Sequence, residues 1–352
     1  MPGDRYEGSD PEGALTRDEF VSMLEGYVSR NSLPVHVGEA VTEVAPGDDG
    51  GYVVRTSSRT LKTRNVVVAS GSLNRPKRPA LSQQIAPIVR QIDASDYRSA
   101  AALEPGAVLV VGSGQSGGQI AKDLSDAGRK AFLATSKIGR IPRRHRGRDV
   151  ALWLVDGGML DLRREEFALP SGAMPARPLQ GAVETLSLQS LSAQGVVLVG
   201  RVESADGLVL TFSDDVAENV RFADEASAAL RRRIDDYIAR NGIVAPPATD
   251  DPAEVVAPKI PSPPITSIDL EASGITNIVW CTGFEGDFSW LKIPGATATD
   301  QQPSHVDSIG TVSGLYFPGL DFASTRKSGT ILASVDESRA IVRHILQRLS
   351  QP

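Results

Sequence analysis

Residues 107–117, with the sequence AVLVVGSGQSG, place a short apolar run directly before a glycine-rich loop. Five consecutive apolar residues are typical of a strand that is buried on both faces of a parallel sheet. A helical stretch from Gln119 to Ala127 follows, Gly128 ends it, and residues 131–134 (AFLA) form the next apolar run. This order is a βαβ unit, and it predicts an α/β fold with a parallel sheet.

The loop itself matches the GxGxxG pattern of dinucleotide-binding sites. In that pattern the first glycine allows a tight turn, the second lets the backbone approach the pyrophosphate, and the third lets the helix pack on the strand. The helix N-terminus adds free amides and the positive end of its dipole. The alternative is a glycine-rich turn without a ligand. The predicted nucleotide contacts in this loop are Gly112, Ser113, Gly114, Gln115, Ser116 and Gly117.

The end of the next strand indicates which nucleotide binds. An NAD site carries an acidic residue there, and this sequence has Ser136 and Lys137 instead. Lys137 suits the 2′-phosphate of NADP(H), and a run of arginines follows it. A solvated basic loop is the alternative interpretation. The residues predicted to bind this part of NADP(H) are Ser136, Lys137 and Arg143, within a cationic patch that also contains Arg140, Arg144 and Arg146.

Composition limits the class of protein. The 352 residues carry a net charge of −6, which gives no support to nucleic-acid binding. We find no leader peptide and no apolar stretch long enough to cross a bilayer, so we expect a cytoplasmic enzyme with a small-molecule substrate and no membrane partner. The single cysteine, Cys281, excludes an intramolecular disulfide, and four scattered histidines make a metal site improbable.

Periodicity and turn residues outline the remaining elements. Thr16 and Glu19 form a capping box for a helix to Arg30. Seven prolines between residues 246 and 264 indicate a linker or surface strap. Strands are predicted at 35–37, 51–55, 66–69, 277–281 and 314–317, and further helices at 214–240 and 331–349.

Four ordered motifs carry a resemblance to a known family: 68–71 (VASG), 112–117 (GSGQSG), 280–284 (WCTGF) and 314–319 (GLYFPG). With them, the chain resembles the class B flavoprotein monooxygenases from about Tyr6 to Leu349. More narrowly, it is similar to bacterial flavin-containing monooxygenase-like proteins described as flavoproteins involved in potassium transport.

The resemblance implies two Rossmann-like domains that bind FAD and NAD(P). It divides the chain into a first FAD-type piece at 1–98, an NADP domain with a helical insertion and the proline-rich strap at 99–264, and a second FAD-type piece at 265–352. NADPH would reduce FAD, and a C4a-peroxyflavin would oxygenate a small organic substrate, so no catalytic side chain is expected. The implied crossings between domains are at Ser70, Gly71, Thr282 and Gly283, and the implied flavin contacts are Gly319, Asp321, Ser328 and Thr330.

One departure from the family concerns the FAD domain. The family begins with a strand and a GxGxxG helix that hold the ADP half of FAD, and this sequence has GxGxxG after an apolar strand only at 112–117. The first domain is therefore predicted to be incomplete at its N-terminus, with weak flavin affinity. Two alternatives to a monooxygenase follow: a non-catalytic NADP(H)-binding protein that has lost flavin, and a subunit completed in trans. The assembly is open between a homo-oligomer and a partner chain that supplies the missing FAD half.

Overall fold

A computed structural model describes residues 13–172 and 174–350, so the start of the resemblance at Tyr6 lies outside the described residues. The chain forms two compact units: unit 1 comprises residues 1–75, 159–174 and 284–352, and unit 2 comprises 76–158 and 175–283. These bounds differ from the predicted pieces 1–98, 99–264 and 265–352. Residues 76–98 and 265–283 join unit 2 because each segment contributes a strand to the sheets of that unit.

Unit 2 is built around a five-stranded sheet in which every neighbouring pair is parallel. Its apolar strands are buried on both faces, which is why they lack the alternation of a half-exposed strand. The strand order across the sheet is Val197–Val199, Ala131–Ala134, Ala107–Val111, Ile275–Trp280 and Arg90–Asp93.

Different layers cover the two faces of this sheet. On one face Val108 and Val110 pack with apolar residues of the helices Gln115–Asp126, Leu188–Ala193 and Val216–Arg240. On the other face the sheet packs against an antiparallel layer made of Val202–Asp206, Val209–Phe212 and Ser267–Asp269. The α/β architecture expected from the βαβ pattern is therefore present. The shorter elements of unit 2 are the 3-10 turns Ala80–Gln84, Ala94–Asp96 and Ala100–Ala102, the hairpin Arg144–His145 and Arg148–Asp149, and the helices Val150–Asp156 and Pro252–Val255.

A three-stranded and a four-stranded sheet surround the apolar core of unit 1, in which Leu315 and Phe317 are fully buried. One sheet is the antiparallel meander Val41–Pro46, Tyr52–Thr56 and Thr60–Thr63. The other has the order His305–Val306, Ile309–Gly310, Leu315–Tyr316 and Val66–Val67. The helices are Arg17–Arg30, Arg164–Phe167 and Ser334–Leu349, the last preceded by the 3-10 turn Ile331–Ala333, and short strands lie at Arg75–Pro76 and Phe284–Glu285.

Several predicted elements are confirmed and others need correction. The capping box is present, with the Glu19 amide donating to Thr16 Oγ1 and the Thr16 amide donating to Glu19 Oε2. The strand predicted at 35–37 is wrong: Val35 and Val37 are 57% and 89% exposed, so their β-branched side chains have no apolar face to cover. The helix after the glycine loop begins at Gln115, before the predicted Gln119. Among the described residues, no helix is both long and apolar enough to cross a membrane.

Candidate nucleotide site

Two glycines of the loop are required by the fold of unit 2. Gly112 has φ +106°, and a Cβ there would lie 2.5 Å from the carbonyl oxygen of Cys281 on the neighbouring strand. A Cβ on Gly117 would lie 1.8 Å from the carbonyl oxygen of Gly112. These approaches allow the tight turn and the close packing of helix on strand that the motif predicts.

Gly114 is different, because neither its conformation nor its packing requires glycine. Its φ is −72°, an ordinary value, and it forms the N-cap of the helix. The nearest heavy atom to a Cβ at this position would be the carbonyl oxygen of Arg177, at 3.6 Å, an ordinary van der Waals distance. The space in front of Gly114 is therefore open on the side where the motif brings the pyrophosphate to the backbone.

The first turn of the helix is suited to bind an anion. Gln115 and Ser116 are exposed, and no side chain in the described part of the chain caps this helix. The first amides of an α-helix have no partner within the helix, so they can donate to phosphate oxygens. The loop thus combines exposed donors with an open approach.

Ser113 connects the glycine loop to the end of the next strand. Its buried hydroxyl accepts a hydrogen bond from the amide of Ser136 at 3.1 Å. Beside it, Thr135 Oγ1 accepts from Asn219 Nδ2 at 3.0 Å and donates to the carbonyl of Val199 at 2.9 Å. The contact with Ser113 holds Ser136, the residue before Lys137, next to the glycine loop.

Lys137 forms an ion pair with an acidic residue that the sequence pattern did not identify. Lys137 Nζ lies 2.8 Å from Glu218 Oε1, and the two side chains are 55% and 47% exposed. The Lys137 ammonium, through its hydrogen bond first and its charge second, lowers the pKa of Glu218 below its ordinary value. The strand end itself has no acidic residue, but Glu218 of the helix Val216–Arg240 places a carboxylate beside Lys137.

The arginines of the predicted cationic patch have counter-charges from elsewhere in unit 2. Arg140 is 2% exposed and contacts Asp224 and Glu254, at 2.6 and 2.9 Å. Arg143 lies 2.6 Å from Asp149, which caps the helix Val150–Asp156. Further along, Arg146 pairs with Asp235, and Arg144 donates to the carbonyl of Gly147. Arg140, Arg143 and Arg146 of this patch therefore form ion pairs within unit 2, and Lys137 is more exposed than any of these three.

Unit 1 contains the residues implied to contact flavin, Gly319, Asp321, Ser328 and Thr330, and also Ser70 and Gly71 of an implied crossing. A Cβ on Gly71 would lie 3.4 Å from the carbonyl oxygen of Gly319, and the Asp321 amide donates to Ser72 Oγ at 3.0 Å. Ser328 is buried and accepts from the amides of Ser324 and Thr325. Thr330 donates its hydroxyl to the carbonyl of Lys327, and Ser70 is exposed.

A polar cavity of about 540 Å³ lies within unit 1 beside Asp321. Its lining includes Ser72, Asp321 and Ser324 from the implied flavin region and Arg163 and His305 from other segments. The Nδ1 atom of His305 is buried without a hydrogen-bond partner in the described structure, and burial lowers the pKa of this imidazole. The cavity is lined mainly by polar side chains, among them Arg163, Asp321 and Ser324, which a bound molecule could contact.

Thr282 and Gly283 lie at an edge of unit 2, against Lys77. The Thr282 hydroxyl donates to the carbonyl of Lys77 at 2.6 Å, and the Lys77 amide donates to the carbonyl of Gly283 at 2.9 Å. The bounds of unit 2 at 75/76 and 283/284 fall close to the crossings implied at Ser70, Gly71, Thr282 and Gly283.

Comparison with known proteins finds similar proteins that are described as oxidoreductases. The family described as pyridine nucleotide-disulphide oxidoreductase matches residues 7–154. A Geobacillus kaustophilus protein described as an uncharacterized oxidoreductase, CzcO-like, is 26% identical over 348 residues, which cover 98% of this chain and 82% of that protein.

Two solved structures share the fold. A flavin-containing monooxygenase from Stenotrophomonas maltophilia gives a TM-score of 0.60 at 16% identity, covering 98% of this chain and 80% of the other. An ornithine N-hydroxylase from Kutzneria sp. 744, in a complex with reduced FAD, NADP+ and L-ornithine, gives 0.52 at 19% identity, covering 95% and 78%. The predicted α/β fold of the FAD/NAD(P)-binding kind is confirmed, and so is the resemblance of this fold to those of solved flavin-dependent monooxygenases.

Proposed function

We propose, on the premise that this chain is a relative of the class B flavoprotein monooxygenases, that it is an NADPH-dependent flavoprotein oxidoreductase. Unit 2 would bind NADPH at the loop Gly112–Gly117, and FAD would accept the hydride. The reaction would end in oxygenation of a small organic substrate. Since the cofactors carry the chemistry, the protein side chains serve to bind, orient and exclude water.

The observation that carries this proposal is the environment of Gly114. Packing explains glycine at positions 112 and 117, where a Cβ would meet backbone oxygens at 2.5 and 1.8 Å. It does not explain glycine at 114, where a Cβ would touch nothing closer than 3.6 Å. Gly114 begins an uncapped helix, and the packing of the protein does not require glycine there. Close approach of a diphosphate to the backbone does require it.

Lys137 favours NADPH over NADH in this proposal. It follows the strand Ala131–Ala134 by three residues, and Ser136 beside it is bonded to the loop residue Ser113. A 2′-phosphate at this position would gain a charge-assisted hydrogen bond from the ammonium group. Arg143 contributes less than the sequence pattern predicts, because its guanidinium is paired with Asp149.

The cavity of unit 1 fits the hydroxyl- and amide-bearing portion of FAD. FAD, when bound, supplies the hydride acceptor and the reaction with oxygen. Asp321, Ser324, Arg163 and His305 line the cavity. The Asp321 carboxylate can accept hydrogen bonds from ribityl hydroxyls, and the Ser324 hydroxyl can accept or donate them. Lined in part by Asp307 and Asp300, the cavity is less suited to an anionic diphosphate than the helix start at Gly114.

The test combines binding and turnover on the 352-residue chain. We expect NADP+ to bind in calorimetry without added flavin, and NADPH oxidation with oxygen uptake to depend on added FAD. Asp321→Asn should weaken FAD binding, followed by quenching of flavin fluorescence, while Asp336→Asn, a change of the same charge on the helix Ser334–Leu349, should not.

The outcomes separate the candidate functions. Nucleotide binding without any FAD-dependent NADPH oxidation would favour a non-catalytic NADP(H)-binding protein. Activity that appears only after mixing with a second chain would favour completion in trans. If the unaltered chain binds neither NADP+ nor NAD+, the proposed function is overturned.

A further inference from the structure

Glu218 lies beside the residue that is predicted to decide between the two nicotinamide nucleotides. In NAD sites an acidic residue near the strand end accepts a hydrogen bond from the ribose 2′-hydroxyl. Here the loop after the strand Ala131–Ala134 has no acid, yet Glu218 Oε1 lies 2.8 Å from the Lys137 ammonium in that loop. The Glu218 carboxylate, from the helix Val216–Arg240, thus lies beside Lys137, which is predicted to meet the ribose 2′ group.

The position of Glu218 is fixed by its neighbour. Asn219 is fully buried, and its Nδ2 donates to Thr135 Oγ1 at 3.0 Å. Thr135 is itself bonded to the carbonyl of Val199 at 2.9 Å. The start of the helix Val216–Arg240 is therefore attached to the end of the strand that leads to Lys137, which holds the backbone of Glu218 near that lysine.

We propose that Glu218 is a specificity-determining residue that limits the preference of this site for NADPH. The inference rests on the proposed nucleotide site at Gly112–Gly117. With a 2′-phosphate bound, the Glu218 carboxylate would repel the phosphate and compete with it for Lys137. With a 2′-hydroxyl bound, the same carboxylate would accept its hydrogen bond. Glu218 therefore weakens NADP+ binding and supports NAD+ binding.

The exposure of the pair allows this exchange. Lys137 and Glu218 are 55% and 47% exposed, and an ion pair in contact with water is only weakly stabilising. Lys137 can leave Glu218 for a phosphate at small cost, whereas Arg140, 2% exposed between Asp224 and Glu254, cannot exchange partners in this way. Lys137 thus sets the preference for NADPH in this proposal, and Glu218 reduces it.

The experiment compares E218Q with a matched control, E225Q. Glu225 lies on the same helix, is exposed, and pairs with Arg221 at 3.7 Å, so its replacement removes the same charge away from Lys137. Dissociation constants for NADP+ and NAD+ are measured by calorimetry at low and high salt. We expect E218Q to bind NADP+ about two- to fivefold more tightly at low salt. NAD+ binding should be equal or weaker, and E225Q should match the unaltered chain.

Three results would overturn the inference. If the unaltered chain binds nucleotide but E218Q leaves the ratio of NADP+ to NAD+ affinity unchanged, Glu218 does not face the 2′ position. If E225Q shifts the ratio as much as E218Q does, the effect is the net charge of the helix rather than Glu218. If the unaltered chain binds neither nucleotide, the proposed function fails, and the inference fails with it. Thermal unfolding checks that both variants are folded. We expect that they are, because Glu218 and Glu225 are both exposed.

Discussion

The carbonyl oxygen of Gly112 lies against the α-carbon of Gly117, so that a Cβ at position 117 would stand 1.8 Å from it. The loop that would bind a nucleotide is therefore also a packing contact between helix and strand. Two of its glycines are required by packing and the third, Gly114, is proposed to serve binding, and substitutions can separate these roles.

Gly117→Ala should destabilise unit 2, because its Cβ would clash with backbone rather than with a flexible side chain. Overpacking of this kind costs about 1–3 kcal/mol in the free energy of unfolding. Urea denaturation measures the loss. Gly114→Ala is the matched control, since its Cβ would make only an ordinary contact at 3.6 Å and should change stability little. Equal stabilities of the two variants would contradict the packing role of Gly117.

Gly114→Val should leave the fold intact and abolish nucleotide binding. The side chain would fill the open space in front of the first helical amides, where backbone and pyrophosphate approach each other. Calorimetry with NADP+ measures the loss, and circular dichroism confirms the fold. A folded Gly114→Val protein with unchanged affinity would place the nucleotide site elsewhere in the chain.

Lys137→Glu should lower or reverse the preference for NADPH. The substitution removes the cation that would meet the 2′-phosphate and places a second carboxylate beside Glu218. Lys130→Glu is the control, because Lys130 is exposed and precedes the opposite end of the same strand, Ala131–Ala134. The ratio of NADP+ to NAD+ dissociation constants decides the matter, and a ratio near one in the unaltered chain would argue against the NADPH assignment from the outset.

Arg140→Ala should cost stability rather than nucleotide affinity. Removing this guanidinium leaves Asp224 and Glu254 without their shared partner, and breaking a buried ion pair costs about 3–5 kcal/mol. The second contact of Glu254, with Arg231, places the expected value near the lower limit. Arg221→Ala, at an exposed pair, should change unfolding much less. A stable Arg140→Ala protein that no longer binds NADP+ would assign Arg140 to the nucleotide instead.

Cys281 should react slowly with iodoacetamide in the folded protein. Desolvation, and to a smaller extent the charge of Asp93, raises the pKa of its thiol to about 12. At pH 8 the thiol is therefore almost entirely protonated, whereas only the thiolate is nucleophilic. Mass spectrometry should detect little alkylation at pH 8, more as the pH rises toward 12, and rapid alkylation in urea at pH 8. Rapid reaction of the folded chain at pH 8 would show that the thiol is not desolvated.

Local patterns made the glycine loop predictable. The strand Ala107–Val111, Gly112, Gly114 and Gly117 follow one another within eleven residues, and the close approach of Gly117 to Gly112 is a contact between near neighbours in sequence. The strand Ile275–Trp280 was recognised by its own apolar run, but its place beside Ala107–Val111 depends on a pairing across more than 160 residues. Such pairings leave no local signal.

The charges around the site were predicted less well for the same reason. The arginines after Lys137 are close together in the sequence, whereas most of the acids that pair with them come from the long helix and from the proline-rich strap, Asp149 beside Arg143 being the exception. Asp224 and Glu254 are the clearest cases, and Glu218 is another. The strand predicted at 35–37 failed in a different way, because β-branched residues favour a strand only where a neighbouring strand and an apolar face receive them.

The contacts of Lys77 with Thr282 and Gly283 have a consequence for how unit 2 could have been acquired. Entry and exit of this unit are joined by two hydrogen bonds, of 2.6 and 2.9 Å, although more than 200 residues separate them. A host protein that receives such a segment needs to open only one loop by the width of a strand pair, so the entropy lost in closing that loop is small. Residues 159–174 of unit 1 lie between the two ends of this segment, so a transfer of unit 2 to another protein as one continuous piece would carry that part of unit 1 with it.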